Sequence, residues 1–154
     1  GERNDIWSSV SNFYFKQLNN HSYELFVESQ GQIDEYSVLK KACQIAKKKL
    51  ADIDQLINEK FKGSNIKKGD MIEITLTDED HTIGNVINVG LQNHKDILFS
   101  GLAKPDLLIK EIKIKIRSNI DPPLKPLFEV IKDKIKVFDN IENIISSLGK
   151  KYIN

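Results

Sequence analysis

Polar and hydrophobic positions alternate through several short runs and step by three and four through longer ones, which marks strands and helices in turn. Val10-Ser11-Asn12-Phe13-Tyr14-Phe15 reads as an aromatic-rich strand, and Asn19-Asn20-His21-Ser22 as a turn. In Tyr23–Glu28, Tyr23, Leu25 and Val27 share one face, with Glu24, Phe26 and Glu28 opposite. Ser29 to Gln32 ends that strand. Asp34 is placed to cap the next helix, whose stripe Leu39, Ala42, Cys43, Ala46, Leu50, Ile53, Leu56/Ile57 has the spacing of one packed face. Lys47, Lys48 and Lys49 lie beside it as an expected solvated face. Phe61 to Asp70 is polar and holds Gly63 and Gly69, so residues 62–70 read as a linker between two halves.

The second half alternates from Met71 to Leu76, then changes to helical spacing at Ile83, Val86, Ile87, Gly90 and Leu91, predicting a strand over 71–77 and a helix over 82–93. A short apolar strand follows at 97–102, and Lys104-Pro105-Asp106 makes a turn. From Lys110 to Arg117 the isoleucines 112, 114 and 116 point one way and Lys113, Lys115 and Arg117 the other, a half-buried strand. Asp121-Pro122-Pro123 stops it. Pro126 fits only in the first turn of a helix, which places the helix start near Leu124. Its stripe runs through Leu127/Phe128, Ile131, Ile135, Phe138, Ile141/Glu142, Ile145 and Leu148 to Gly149. Such a helix is ~40 Å long, more than a small core covers, so part of the stripe is expected to pack on another chain or on the other half. The fold class is α+β, with antiparallel strands backed by long amphipathic helices.

Composition narrows the function. The 154 residues suit one ordinary domain or two small ones. A formal net charge of +1 lacks the basic excess of a broad nucleic-acid binder. Lys110, Lys113, Lys115 and Arg117 form a local basic candidate, but no aromatic residues alternate with them along the strand. The single cysteine, Cys43, excludes an internal disulfide and a cysteine-rich zinc site, and its place on an apolar stripe makes it a buried small residue. No apolar run approaches the ~20 residues needed to cross a bilayer. The chain begins at Gly1, which suggests a piece of something longer.

For catalysis, His81 lies between Asp80 and Thr82. Sequence neighbours at a helix start point apart, and Asp78, Asp80 or Thr82 suit capping of the first turn better than general-base chemistry. His21 and His94 are isolated. The glycines form no phosphate loop. No cofactor or metal is expected, and what remains is an interaction protein.

Asp78-Glu79-Asp80-His81-Thr82-Ile83-Gly84-Asn85 resembles the Glu-Asp-His-Thr-Leu-Gly-Asn signature of the eleventh subunit of eukaryotic RNA polymerase II, shared by the archaeal L subunit and, in shorter form, by the bacterial α N-terminal domain. Asp96 to Gly101 resembles that family's Val-Leu-Phe-Ala strand, and Lys104-Pro105 its His-Pro turn with lysine replacing histidine. Trp7-Ser8-Ser9-Val10 is similar to Trp-Ser-Pro-Val of the third-largest subunit (archaeal D), and Val27-Glu28-Ser29-Gln30-Gly31 to its Val-Glu-Ser-Val-Gly. The union of both in one chain resembles the fused subunit of asfarvirus-type polymerases.

The resemblance implies a non-catalytic assembly platform of a DNA-directed RNA polymerase. Residues 1–61 would be the C-terminal part of a D-like dimerisation domain, incomplete without upstream sequence, and 71–154 an L-like one. Ile83, Val86, Ile87, Gly90 and Leu91 would pack a pairing helix against the other half. Gly84 would permit close approach and Asn85 would hydrogen-bond nearby. Ile131, Ile135, Phe138, Ile145 and Leu148 would extend the interface. Asp80, His81 and Thr82 belong to the turn taken as first candidate for docking the second-largest subunit. The expected partners are the D-like half or chain and other polymerase subunits, with nucleic acid met only through the complex and no membrane. The expected location is intracellular: host cytoplasm and virion if viral, otherwise nucleus. A heterodimerisation module outside transcription and a small nucleic-acid-binding domain are the alternatives.

Overall fold

A computed structural model describes residues 10–19, 22–29, 34–77, 81–104, 106 and 108–153, with backbone alone for 10–19, 22, 23, 25–29, 81 and 150–153. The Trp7 segment, the tip of the turn at 20–21, the strand end at 30–33, the acidic residues 78–80 and Pro105 lie outside the described residues. The chain order is β1 (Val10–Asn19), β2 (Ser22–Ser29), α1 (Glu35–Lys60), β3 (Met71–Thr77), α2 (His81–Gln92), β4 (Ile97–Ala103), β5 (Glu111–Ser118) and α3 (Lys125–Ile153). These elements form an α+β fold. They fall into two compact units, one of residues 1–49 and 135–154, the other of residues 50–134.

In the second unit, β3, β5 and β4 form an antiparallel sheet in that order. The period-2 pattern puts Ile72, Ile74 and Leu76 opposite Ile116, Ile114 and Ile112, and all six are buried on one face. α2 lies on β4 and β5. The segment read as a linker is fastened to this unit. Gly69 adopts φ of 87° and donates its N–H to the Ser118 carbonyl at 2.9 Å, and the Lys68 N–H donates to Asp121 Oδ1 at 2.7 Å. The Ser118 hydroxyl, fully buried, donates to the Pro123 carbonyl and ties the end of β5 to the start of α3. Pro126 occupies the second position of α3, where it forfeits no helical hydrogen bond.

In the first unit, β1 and β2 pair as an antiparallel hairpin, with Phe13 opposite Val27 and Phe15 opposite Leu25. Asp34 caps α1: its Oδ1 accepts from the Tyr36 N–H and its Oδ2 from the Ser37 hydroxyl. The buried line of α1 there runs through Val38, Ala42, Cys43 and Ala46, so Val38 and not Leu39 leads the stripe.

α3 corrects the predicted stripe more substantially. Its buried positions are Pro126, Leu127, Val130, Ile131, Lys134, Phe138, Glu142, Ile145 and Gly149. Steps of three and four from Ile131 reach 134, 138, 142, 145 and 149. Ile135 and Leu148 then fall about 100° to the side. Ile135 is half-buried, and Leu148 is 41% exposed.

Candidate assembly interface

The signature helix packs on its own sheet. His81 is the first residue of α2, and Asp80 lies outside the described residues. Thr82 is half-buried and Asn85 exposed. Ile83, Val86, Ile87 and Leu91 are buried on the side where α2 packs against β4 and β5. A Cβ on Gly84 would stand 3.1 Å from Leu102 Cδ1 and 3.2 Å from Ile112 Cγ2. Its close approach is thus to its own sheet. An isoleucine-faced sheet needs an apolar cover, and α2, leaving β3 directly, supplies it.

Gly90 marks where α2 crosses α3. A Cβ there would come within 2.6 Å of Val130 Cγ1 and 3.0 Å of Lys134 Cε. Gly90→Ala is expected to destabilise the protein by about 1–2 kcal/mol, because the clash outweighs the helix-propensity gain. Gly149→Ala, with Tyr36 Cβ at an ordinary 3.5 Å, should instead stabilise it by about 0.5–1 kcal/mol. Denaturant titration of both variants tests these opposite signs.

The C-terminal turns of α2 are held by His94. The Asp96 N–H donates to His94 Nδ1 at 3.1 Å, so Nε2 carries the proton and donates to Glu129 Oε2 at 2.8 Å. That hydrogen bond holds the Glu129 carboxyl below its usual range.

The second apolar surface is the pairing of α1 with α3 inside the first unit. The helices run antiparallel, since Tyr36 meets Gly149, Gln44 meets Glu142 and Lys47 meets Asp139. Ala42, Cys43 and Ala46 on one helix and Gly149 on the other are small and allow close approach. Phe138 and Ile145 are buried on the same line of α3. Among these apolar residues sits one polar cluster. Lys47 Nζ donates to Glu142 Oε1 at 2.6 Å and Asp139 Oδ1 at 2.9 Å, and Gln44 Nε2 donates to Glu142 Oε2 at 2.7 Å.

The cluster fixes its own ionisation. Hydrogen bonding to Lys47 holds the Glu142 carboxyl below its usual range against the opposing effect of burial. Hydrogen bonds to Glu142 and then Asp139 raise Lys47 above its ordinary value. Burial pushes the Cys43 thiol up to about 12, with the Glu142 charge adding to it, so the sulfur stays protonated and unreactive. Lys47 therefore leaves the expected solvated face. A salt bridge inside an apolar seam penalises any shifted pairing of the two helices, which would strand a charge.

The pH dependence follows from the two signs. Glu142, depressed in the folded state, contributes stability above its unfolded value that is lost as pH falls through the folded one. Lys47, raised, contributes below its unfolded value and loses this only in strong alkali. Neutral pH retains both. Thermal melts at about pH 7 and about pH 3 should show a smaller loss in Glu142→Gln than in the original chain.

Among the described residues no group of three or more His, Cys, Asp or Glu side chains could hold a metal ion. No helix there is long and apolar enough to cross a membrane.

Residues 71–143 match the RNA polymerase Rpb3/Rpb11 dimerisation domain. The chain is 34% identical over 79 residues to the rpb11 subunit of RNA polymerase II from Dictyostelium discoideum, covering 50% of this chain and 66% of that protein. It is 25% identical over 142 residues to a protein of Acanthamoeba polyphaga mimivirus named as a DNA-directed RNA polymerase subunit, covering 90% of this chain and 40% of that protein. The chain thus spans less than two thirds of the length of either relative.

Proposed function

We propose that the chain is a non-catalytic assembly-platform subunit of a multisubunit DNA-directed RNA polymerase of viral type. The observation that carries this reading is the match of residues 71–143 to the Rpb3/Rpb11 dimerisation domain. The mimivirus relative extends it. Its alignment, over 142 residues, takes in 90% of this chain against the 73 residues (71 to 143 inclusive) of the domain, within one polypeptide. That supports a fused arrangement, with residues 1–61 as the end of a D-like dimerisation domain, 62–70 as the connection and 71–154 as the L-like domain.

In this reading the seam of α1 and α3 joins the two halves. Val38, Ala42 and Ala46 on α1 and Phe138 and Ile145 on α3 are buried there, and the Lys47–Glu142 pair sets the register. Ile83, Val86, Ile87, Gly90, Leu91 and Ile131 build the L-like core that presents α3. The turn at 78–85, with Asp80, His81, Thr82 and the exposed Asn85, remains the proposed dock for the second-largest subunit. Other polymerase subunits are the partners, nucleic acid is met only through them, and the catalytic magnesium belongs to the large subunits. The protein works inside the cell, in host cytoplasm and virion.

Reconstitution tests this. Mixing the large subunits with the full-length protein should yield a soluble complex that elongates RNA, and omitting it should leave them unassembled. Equal assembly and activity without the protein would refute the proposal.

A further inference from the structure

The sheet of the second unit has two faces, and among the described residues only the one under α2 is covered by a helix of that unit. Residues of odd parity point away from α2: Met71, Glu73, Thr75 and Thr77 on β3, Glu111, Lys113, Lys115 and Arg117 on β5, and Phe99, Gly101 and Ala103 on β4. Strand register sets them in rows. Arg117 lies between Met71 and Phe99, and Lys115 between Glu73 and Gly101. Met71 is 45% exposed and Phe99 46%, and Lys115 and Arg117 are exposed. The Phe99 ring folds over Gly101, where a Cβ would meet Cζ at 3.0 Å. The aromatic surface is thus laid along the strand beside the two cations.

The charges on this face are unbalanced. Glu73 and Glu111 are its acids against three cations, and Glu73 is engaged by Lys113, at 3.4 Å. Among the described residues no acid pairs with Lys115 or Arg117. An exposed basic strand flanked by a large aromatic and a methionine has the makings of a contact site, with apolar anchors beside desolvable charge. Its signs select the occupant. A second copy of the same face would set Lys115 and Arg117 against themselves. A nucleic-acid strand would meet Glu73 in the middle of the face and a single ring, where stacking of successive bases needs several.

We propose that the open face of the β3-β5-β4 sheet docks an acidic protein segment, whose carboxylates pair with Lys115 and Arg117 and whose apolar side chains cover Phe99 and Met71. This deepens the assembly reading, in which the segment belongs to another subunit of the complex.

The test uses the complex purified through the full-length protein. A photo-crosslinking amino acid replaces Lys115, and the crosslinked peptide is sequenced by mass spectrometry. The expected product is a protein peptide carrying Asp or Glu next to apolar residues. The double variant Lys115→Glu/Arg117→Glu, whose sites face solvent and whose thermal melt should be unchanged, is expected to weaken retention of that partner about tenfold. Charge reversal in the partner should restore it. Crosslinks to nucleic acid or to a second copy, or no crosslink in an intact complex, would overturn the proposal. Recovery of an acidic partner without any polymerase subunit would sustain this inference and refute the assembly reading. Recovery of the polymerase without such a crosslink would do the reverse.

Discussion

Ile87→Ala is expected to lower stability by about 2–5 kcal/mol, and Ile87→Asp to abolish folding of the 50–134 unit. Ile87 is fully buried, and Leu91, one turn later on the same face, is too. The sheet face beneath them carries Ile112, Ile114 and Ile116 of β5 with Ser100 and Leu102 of β4, and the Ser100 hydroxyl is already committed to Asn88 Oδ1. Truncation to alanine removes three carbons and leaves a cavity that α2 is poorly placed to close. Its approach is already limited by Gly84 over Leu102 and Ile112 and by Gly90 at Val130. A total stability on the order of 5–15 kcal/mol leaves little after a buried unpaired charge. Circular dichroism and denaturant titration of the two variants check the order of severity. An Ile87→Asp protein that melts cooperatively like the original would show that α2 does not hold this core.

Phe138→Ala is the second large effect, expected at about 3–5 kcal/mol. Phe138 is 2% exposed and lies on the buried line of α3 in the first unit. It stands one turn from Glu142, which accepts from Lys47 and Gln44. Removing the ring opens the apolar seam around that pair to water, so the ion pair weakens along with the packing. The variant should therefore lose helix pairing in residues 34–49 and 135–149 before residues 50–134 respond. Hydrogen exchange resolves this, with faster exchange expected in the first set of amides and protection kept in β5. Uniform loss across the chain would mean that the two units melt as one.

How far the sequence foretold this depends on the range of the information. The strands at 71–77 and 111–118 were legible because burial on a sheet face alternates strictly, and isoleucine marks every second position. The change to helical spacing after Thr77 was equally plain. The phase of α3 was not. Ile135 and Leu148 look as apolar as their neighbours, whereas the buried line passes through Lys134 and Glu142. A buried glutamate is legible only through its partner, and Lys47 lies 95 residues away in sequence. Gly90 was placed among the packing residues of the pairing helix, but only the structure identifies Val130 as its close neighbour. The aromatic neighbour of Arg117 was missed for a similar reason. Phe99 comes from another strand, and register alone brings them together.

The assembly role rests on one polypeptide bringing both halves to a polymerase. Native mass spectrometry of the complex purified through the tagged full-length protein addresses that most directly. The account predicts one copy of the protein, both halves in a single chain, bound with two large subunits and several small ones. Recovery of the protein alone, or as a homodimer, would contradict it.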